Sequence, residues 1–271
     1  MNKILVGVIT NQVKDYCWDK FSNQLKGLQQ LGHDVLIIDN SPLIQPRKGF
    51  DVYHYRLWNK IFKECAVENL QRHSDNHLNG LIFISLDCMN ILRDKFLEGD
   101  YTHLFILESD VFIEQDTVQR LLDMDADIAN FTYLMNLNRF NDLTLCVQST
   151  KDSEGLMLNP EQSRELINSG IKELGKDMLG DRMITGCGYG CTLVKRKVLE
   201  DIKFRIGKSK EGVLSYPDSI FHPEAISKGY TNKLDTDWLP VHENLNNQTM
   251  DMLKLLKVQN NTTRRERRAT K

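Results

Sequence analysis

The sequence is short of the features that narrow a function fastest. Its 271 residues carry 35 Lys and Arg against 37 Asp and Glu, a formal net charge of −2. A balance that close excludes a molecule-wide electrostatic pull toward nucleic acid or an anionic membrane. No apolar stretch approaches the about 20 residues that cross a bilayer. The opening "MNKILVGVIT" is apolar too briefly for a secretory leader and runs on like a first strand. The cysteines (Cys17, Cys65, Cys88, Cys146, Cys187, Cys191) are scattered. Cys187 and Cys191 resemble half a zinc site, but no second pair or Cys/His partner follows at finger spacing. A cytoplasmic protein with reduced thiols is expected. Internal repeats and a linker rich enough to divide the chain are also missing.

What remains is an ordinary globular composition, 41% hydrophobic and 27% charged, with one local exception. The last eight residues hold Arg264, Arg265, Arg267, Arg268 and Lys271 against Glu266 alone. This basic stretch after "NNTT" reads as a disordered, solvated tail, or as one that contacts phosphate or lipid.

Periodicity predicts the elements. "KILVGVI" (3–9) and "DVLIID" (34–39) are apolar, β-branched runs of the kind buried on both faces of a parallel sheet. Between them, Tyr16, Trp18, Phe21, Leu25, Leu28 and Leu31 share one helical face, and Gly32 ends the helix. Strand, helix and strand in about 37 residues form a βαβ unit. Further helices are expected at about 58–72, 86–98 and 115–123. Strands are expected at 102–108 and in "ADIANFTYL". After residue 150 the pattern changes: a helix from about 160, a strand, the loop "GCGYG", a strand and helix, a short helix near Pro217, and a closing extended segment. The predicted class is α/β, a mostly parallel sheet flanked by helices with a mixed second half.

The strand 102–108 ends in "ESD". In an open parallel sheet, ligands bind beyond the carboxyl ends of the strands. Alternation sends the Glu108 and Asp110 side chains the same way. Two hard oxygen donors there suit Mg²⁺ or Mn²⁺ together with phosphate oxygens. The other reading makes both acids helix caps or surface residues, with Asp116 capping the next helix. Three alternating glycines in "GCGYG" (186–190) either admit a ligand close to backbone or make a tight bulged hairpin. Asp218 opens a short helix, where a carboxylate is favoured by the dipole and could also act as a general base. His242 follows the last extended segment as either a structural histidine or a metal ligand.

This order resembles a GT-A glycosyltransferase of the family 2-like kind, over roughly residues 3–243. "GDYTHLFILESDVF" and "GCGYGCTLVKRKVLEDIKF" are its most specific pieces. "ILVGVITNQVKDYCWDKF" with "DVLIIDNS" is similar to a subgroup frequent in microbes and their viruses, which would place the protein in the host cytoplasm if viral. The resemblance implies a Rossmann-like domain over 1–243, with a nucleotide half at about 1–135, an acceptor half at about 136–243, and a tail at 244–271. It implies a nucleotide-sugar donor, with UDP the expected nucleotide, and Mn²⁺ or Mg²⁺. Asp110 would be the main metal ligand, with Glu108 beside it and nearer the ribose, Ser109 between them, and His242 the late ligand. His222, four residues after Asp218, is the rival histidine. Thr10 and Asn11 would touch the nucleotide, and Asp39 would lie near base and ribose. Asn90 and Arg93 would contact the nucleotide, Arg93 through phosphate, with a plain surface arginine as the alternative. Gly186, Gly188 and Tyr189 would shape the acceptor and donor-sugar pocket. Asp218 would be the base of an inverting displacement, with Pro217 where relatives often carry an acid, and Glu224 and Glu211 next in line.

Other classes remain open. A nucleotidyltransferase also places acids at strand ends, but "GVITNQVKDYCWD" lacks the glycine cluster with a basic residue expected after its first strand. A non-catalytic nucleotide- or glycan-binding protein of the same fold would lack the base or the metal acid, and Asp110, Asp218 and His242 are all present. The acceptor would be a glycan, a lipid-linked glycan, a protein or a modified DNA base. The basic tail would then lie near anionic membrane or hold a nucleic-acid backbone.

Overall fold

The computed structural model describes residues 2–41, 46–56, 76–137, 142–151, 154–169, 172–208 and 214–243. The helix expected at about 58–72, Cys65, Glu211 and the tail 244–271 lie outside these residues. The first half runs β1 (Ile4–Thr10), a 3-10 helix (Gln12–Cys17), α1 (Trp18–Gln30), β2 (Asp34–Asp39), β3 (Asp51–His54), α2 (Asn76–Glu98), β4 (His103–Glu108), β5 (Val111–Phe112), α3 (Thr117–Asp123) and β6 (Ile128–Phe131). There follow β7 (Leu134–Leu137), β8 (Asp142–Leu145), β9 (Val147–Lys151), β10 (Glu154–Met157), α4 (Pro160–Ser169), β11 (Met178–Leu179) and β12 (Arg182–Cys187). The last described elements are β13 (Cys191–Lys195), α5 (Arg196–Asp201), β14 (Gly207–Lys208), β15 (Leu214–Ser215), α6 (Asp218–Ser227), β16 (Asn232–Asp235) and β17 (Val241–His242).

Seven strands form the central sheet in the order β16-β6-β13-β4-β1-β2-β3. All point one way except β13, which pairs antiparallel with both β4 and β6. The expected mostly parallel α/β sheet is therefore what the chain builds. Strands β1 and β4 are buried along almost their whole length because both faces are covered. On one face, Ile4, Val6 and Val8 pack with Phe21, Leu25 and Leu28 of α1 and with Val118 and Leu121 of α3. On the other, Leu5, Leu104 and Ile106 pack with Cys88, Met89, Leu92 and Phe96 of α2, Val198 and Leu199 of α5, and Phe221 of α6. A second sheet, β10-β9-β12-β11, covers a smaller core of Leu145, Val147, Leu166, Leu179, Ile184 and Leu234.

Local departures from the sequence expectations have physical causes. Helix α2 begins ten residues earlier than its periodicity suggested. Ile82 and Ile84, from the strand-like run "LIFIS", are buried, Ile84 in the core shared with Leu5, Leu104 and Ile106 of the sheet, and that packing overrides a β-branched preference. Residues 12–17 form a 3-10 turn rather than the start of α1, and Tyr16 packs on the same core as Phe21 and Leu25 from that turn. Leu31 lies past the end of α1 and is 54% exposed, not part of that face. The strand expected in "ADIANFTYL" is divided between β6 and β7. The "GCGYG" segment is not a hairpin. Strand β12 pairs with β9 in the small sheet, while β13 pairs with β4 and β6 in the large one, so this loop carries the chain between sheets.

Candidate active site

The carboxyl ends of β1, β2 and β4 open onto a cavity of about 350 Å³ closed on one side by α2. Ile9, Ile84, Met89, Ile106 and Leu107 give it an apolar floor. Asn11, Lys14, Asn40, Ser85, Glu108, Ser109 and Asp110 give it a polar rim, and Tyr189 and Tyr216 stand at its edge. A pocket of this size and mixed lining suits a small organic ligand oriented by a few polar groups.

At the rim, ligand atoms of Glu108, Asp110 and His242 lie within 4.8 Å of one another. Two backbone features gather them. The chain turns immediately after β4, bringing Asp110 back beneath the strand end, where it is fully buried. The short pairing of β17 with β5 sets His242 opposite Val111, and Glu243 N–H donates to the Asp110 carbonyl at 2.8 Å. His242 Nδ1–H donates to Leu134 O at 3.3 Å, which leaves Nε2 facing Asp110 Oδ2, also at 3.3 Å. Lys14 Nζ rests on the same Oδ2, and the Tyr16 hydroxyl is 3.5 Å from it. Asp110 Oδ1 is buried with no hydrogen-bond partner. An unpartnered buried carboxylate oxygen is costly unless something else coordinates it. Two carboxylates and an imidazole are a donor set that suits Mn²⁺, so the residues present fit a divalent cation.

The three groups act on one another electrostatically. Burial and the adjoining Asp110 charge push the Glu108 carboxyl above its usual range. Burial acts the same way on Asp110, but the hydrogen bond from His242 and the charge of Lys14 outweigh it and hold this carboxyl low. Burial disfavours charge on His242, yet its bond to Asp110 prevails and raises the imidazole. The helix-cap alternative for these acids does not hold: no helix starts at Glu108 or Asp110, and Asp116 makes no side-chain cap bond to α3.

Asp218 opens α6, where Ser219 N–H donates to its Oδ1 at 2.8 Å. Burial and then the Glu108 charge raise its pKa to about 6, so the two carboxyls share one electrostatic environment. Tyr189 links this helix to the glycine loop by donating its hydroxyl to Pro217 O at 3.1 Å.

Tyr133, which the sequence patterns did not single out, organises the site. Its hydroxyl donates to Glu108 Oε2 at 3.3 Å, and its ring lies 4.8 Å from that of His242. Gly188 and Gly190 make room for it. A Cβ at 190 would fall 2.3 Å from the Tyr133 ring, and one at 188 would fall 2.7 Å from its hydroxyl. Gly190→Ala is therefore expected to destabilise by about 1–3 kcal/mol through overpacking. Gly27→Ala on α1, where a Cβ meets nothing within 4 Å, is expected to be stabilising by about 0.5–1 kcal/mol. Thermal melts of the two variants check the pair.

Other expected residues fall in varied places. Asn11 and Ser109 line the cavity, though Asn11 Oδ1 also caps the 3-10 helix through Val13 N. The hydroxyls of Thr10 and Ser109 are buried without hydrogen-bond partners. Asp39 is not on the lining. Its oxygens accept from Ser41 N–H at 2.8 Å, from the Ser41 hydroxyl, and from Arg47 Nε at 2.9 Å. Arg47 also bonds Asp15 and lies over the Trp18 ring, so Asp39 ties Ser41 and Arg47 to the end of β2. Asn90 and Arg93 lie away from the cavity as well. Asn90 donates to Phe204 O at 3.0 Å, and Arg93 donates to Leu199 O and Ile202 O at 2.7 and 3.1 Å, fastening α2 to the end of α5. The phosphate contact expected of Arg93 is thus replaced by carbonyl contacts that satisfy a helix terminus. Gly186 packs against Gln148 and His222 rather than on the lining. His222 is not the histidine of the cluster. It is buried between Cys187 and Asn232, and burial lowers its pKa to about 4. Cys187 and Cys191 are buried free thiols.

No protein-family model matches the chain, and no curated protein matches it. Among solved structures it is similar to S. aureus TarS 1–349, with a TM-score of 0.43 and 13% identity over 88% of this chain and 59% of that one. The same protein in complex with UDP-GlcNAc matches with a TM-score of 0.43 and 11% identity, over 91% and 60%. Core-mannan synthase A from Aspergillus fumigatus, in its Mn/GDP form, matches with a TM-score of 0.40 and 9% identity, over 88% and 67%. The chain spans about three fifths of the length of the TarS structures. No helix among the described residues is long and apolar enough to cross a membrane.

Proposed function

We propose that the chain is a metal-dependent inverting glycosyltransferase that moves a sugar from a nucleotide-sugar, with UDP as the nucleotide, to a hydroxyl acceptor. The observation that carries this reading is the meeting of Glu108, Asp110 and His242 at the rim of a cavity beyond the strand ends, with Asp110 Oδ1 buried and unpartnered. These three residues would hold Mn²⁺ or Mg²⁺. The bound cation would neutralise charge that develops on a departing diphosphate. The apolar floor of Ile9, Ile84 and Met89 would take the nucleoside. Asp218 is the base: with Oδ1 held by Ser219, it accepts the acceptor hydroxyl proton. The acceptor oxygen bonds to the anomeric carbon as the bond from that carbon to the diphosphate breaks, and the electron pair leaves with the diphosphate. One displacement with base and leaving group on opposite sides inverts the anomeric centre.

The acceptor is proposed by class: a glycan, a lipid-linked glycan or a modified DNA base. The organisation proposed is a single catalytic domain over residues 1–243 followed by the tail 244–271.

Calorimetric titration of UDP and UDP-sugars, with Mn²⁺ and with EDTA, tests the reading. Binding that requires the metal is the expected result. No binding of any nucleotide under either condition overturns it.

A further inference from the structure

Among the described residues that line the cavity, Lys14 carries the only cationic side chain. The arginines nearest in sequence to the expected nucleotide contacts are engaged elsewhere, Arg47 by Asp39 and Asp15, and Arg93 by carbonyls of α5 and its end. The Lys14 backbone is held in the 3-10 helix by its N–H bond to Asn11 O at 3.0 Å and by Cys17 Sγ, which bridges Lys14 O and Ser109 O at 3.2 Å each. Its side chain is one-third exposed and ends on Asp110 Oδ2. That oxygen also faces His242 Nε2 and Tyr16, while Oδ1 has no partner. The two carboxylates of the cluster thus already face two basic groups.

We propose that Lys14 is a resident counter-cation that releases Asp110 to the metal and moves onto the diphosphate, so that metal and nucleotide bind as a coupled pair. The inference rests on the function proposed above and adds a residue and an order to it. A dication approaching the cluster meets Lys14 and His242 at Asp110 Oδ2, so metal alone binds weakly. A diphosphate brings several negative charges to the rim. The lysine stem is long and flexible enough to transfer its ammonium from carboxylate to phosphate, where a charge-assisted hydrogen bond forms. The carboxylate it vacates then joins the metal. Coupling of this kind is reciprocal: whatever factor the diphosphate adds to metal affinity, the metal adds to diphosphate affinity.

The test compares wild type with Lys14→Met by calorimetry, using Mn²⁺ alone, a preformed Mn²⁺–pyrophosphate complex, and UDP with saturating Mn²⁺. The expected result is two opposite changes. Mn²⁺ alone binds the variant several-fold more tightly, and the Mn²⁺ complexes of pyrophosphate and UDP bind it about tenfold more weakly or worse. Lys14→Arg, which keeps the charge, is expected to retain diphosphate binding, and it serves if the methionine variant does not fold. Both affinities unchanged within twofold, or both lowered together, overturns the inference, as does a wild type that takes up no Mn²⁺–diphosphate. Coupled pyrophosphate binding with no response to UDP sinks the UDP reading and leaves the role of Lys14 standing.

Discussion

Asp110→Asn is expected to lower Mn²⁺ affinity by at least about a hundredfold and to remove metal-dependent nucleotide binding, with the fold retained. The substitution keeps the size and the acceptor oxygen of the side chain but deletes the charge that a hard cation requires. Stability responds with a definite dependence on pH. The Asp110 carboxyl is held below its ordinary 3.8, so its contribution is present above that value and is lost as pH falls through the depressed one. The His242 imidazole is raised above its ordinary 6.5, so its contribution is present below that value and is lost as pH rises through the raised one. Their mutual stabilisation therefore occupies the window between. The melting-temperature difference between wild type and Asp110→Asn is expected to be largest at about pH 5–6 and to shrink on either side. A variant that binds Mn²⁺ as wild type does would show that the cluster is not the metal site.

Asp218→Asn is expected to slow transfer by about 10²–10⁴-fold while leaving UDP and Mn²⁺ binding intact, the signature of a lost general base. Because burial and Glu108 raise this carboxyl to about 6, the base is ionised only above that pH. The wild-type rate is therefore expected to rise through about pH 6. The same shift has a cost in stability. A carboxyl whose pKa is raised in the folded state favours folding while protonated, fully so below 3.8, and that advantage disappears as pH rises through about 6. Asp218→Asn removes the penalty, so at pH 8 the variant is expected to melt higher than wild type, with the difference vanishing near pH 4. The rise from 3.8 to about 6 bounds the gain at about 3 kcal/mol. Thermal melts across pH and single-turnover rates check the two halves independently. Wild-type turnover in the variant would move the base to another residue, with Glu224 of α6, which pairs with Arg205, the first to examine.

Several parts of this molecule were legible before any coordinate. The apolar runs at 3–9 and 34–39, with helical spacing between them, specify a buried parallel pair because a helical crossover returns the second strand in the same direction and covers the sheet face it packs on. The acids of "ESD" were legible for the same reason: charge that interrupts a buried strand marks where the strand meets solvent or a ligand. The late His242 was also nameable, but not separable from His222. Periodicity carries no information on which histidine will be packed between Cys187 and Asn232 and which will be carried by β17 to Asp110.

What sequence determined by itself was local: strand and helix phases, the stop at Gly32, the acids at a strand end, and a carboxylate opening α6. These follow from side-chain chemistry and spacing within a few residues. What only the tertiary structure decided was company. Asp39, Asn90 and Arg93 carry the right groups for a nucleotide, yet Asp39 is locked to Ser41 and Arg47, and the other two fasten α2 to the end of α5. Tyr133 and Lys14 carry no motif, yet they reach Glu108 and Asp110 from 25 and 96 positions away in sequence. Hydrogen bonds and charges act over a few ångströms of space, and in a wound sheet those ångströms are filled by residues whose separation along the chain reveals nothing of their contact.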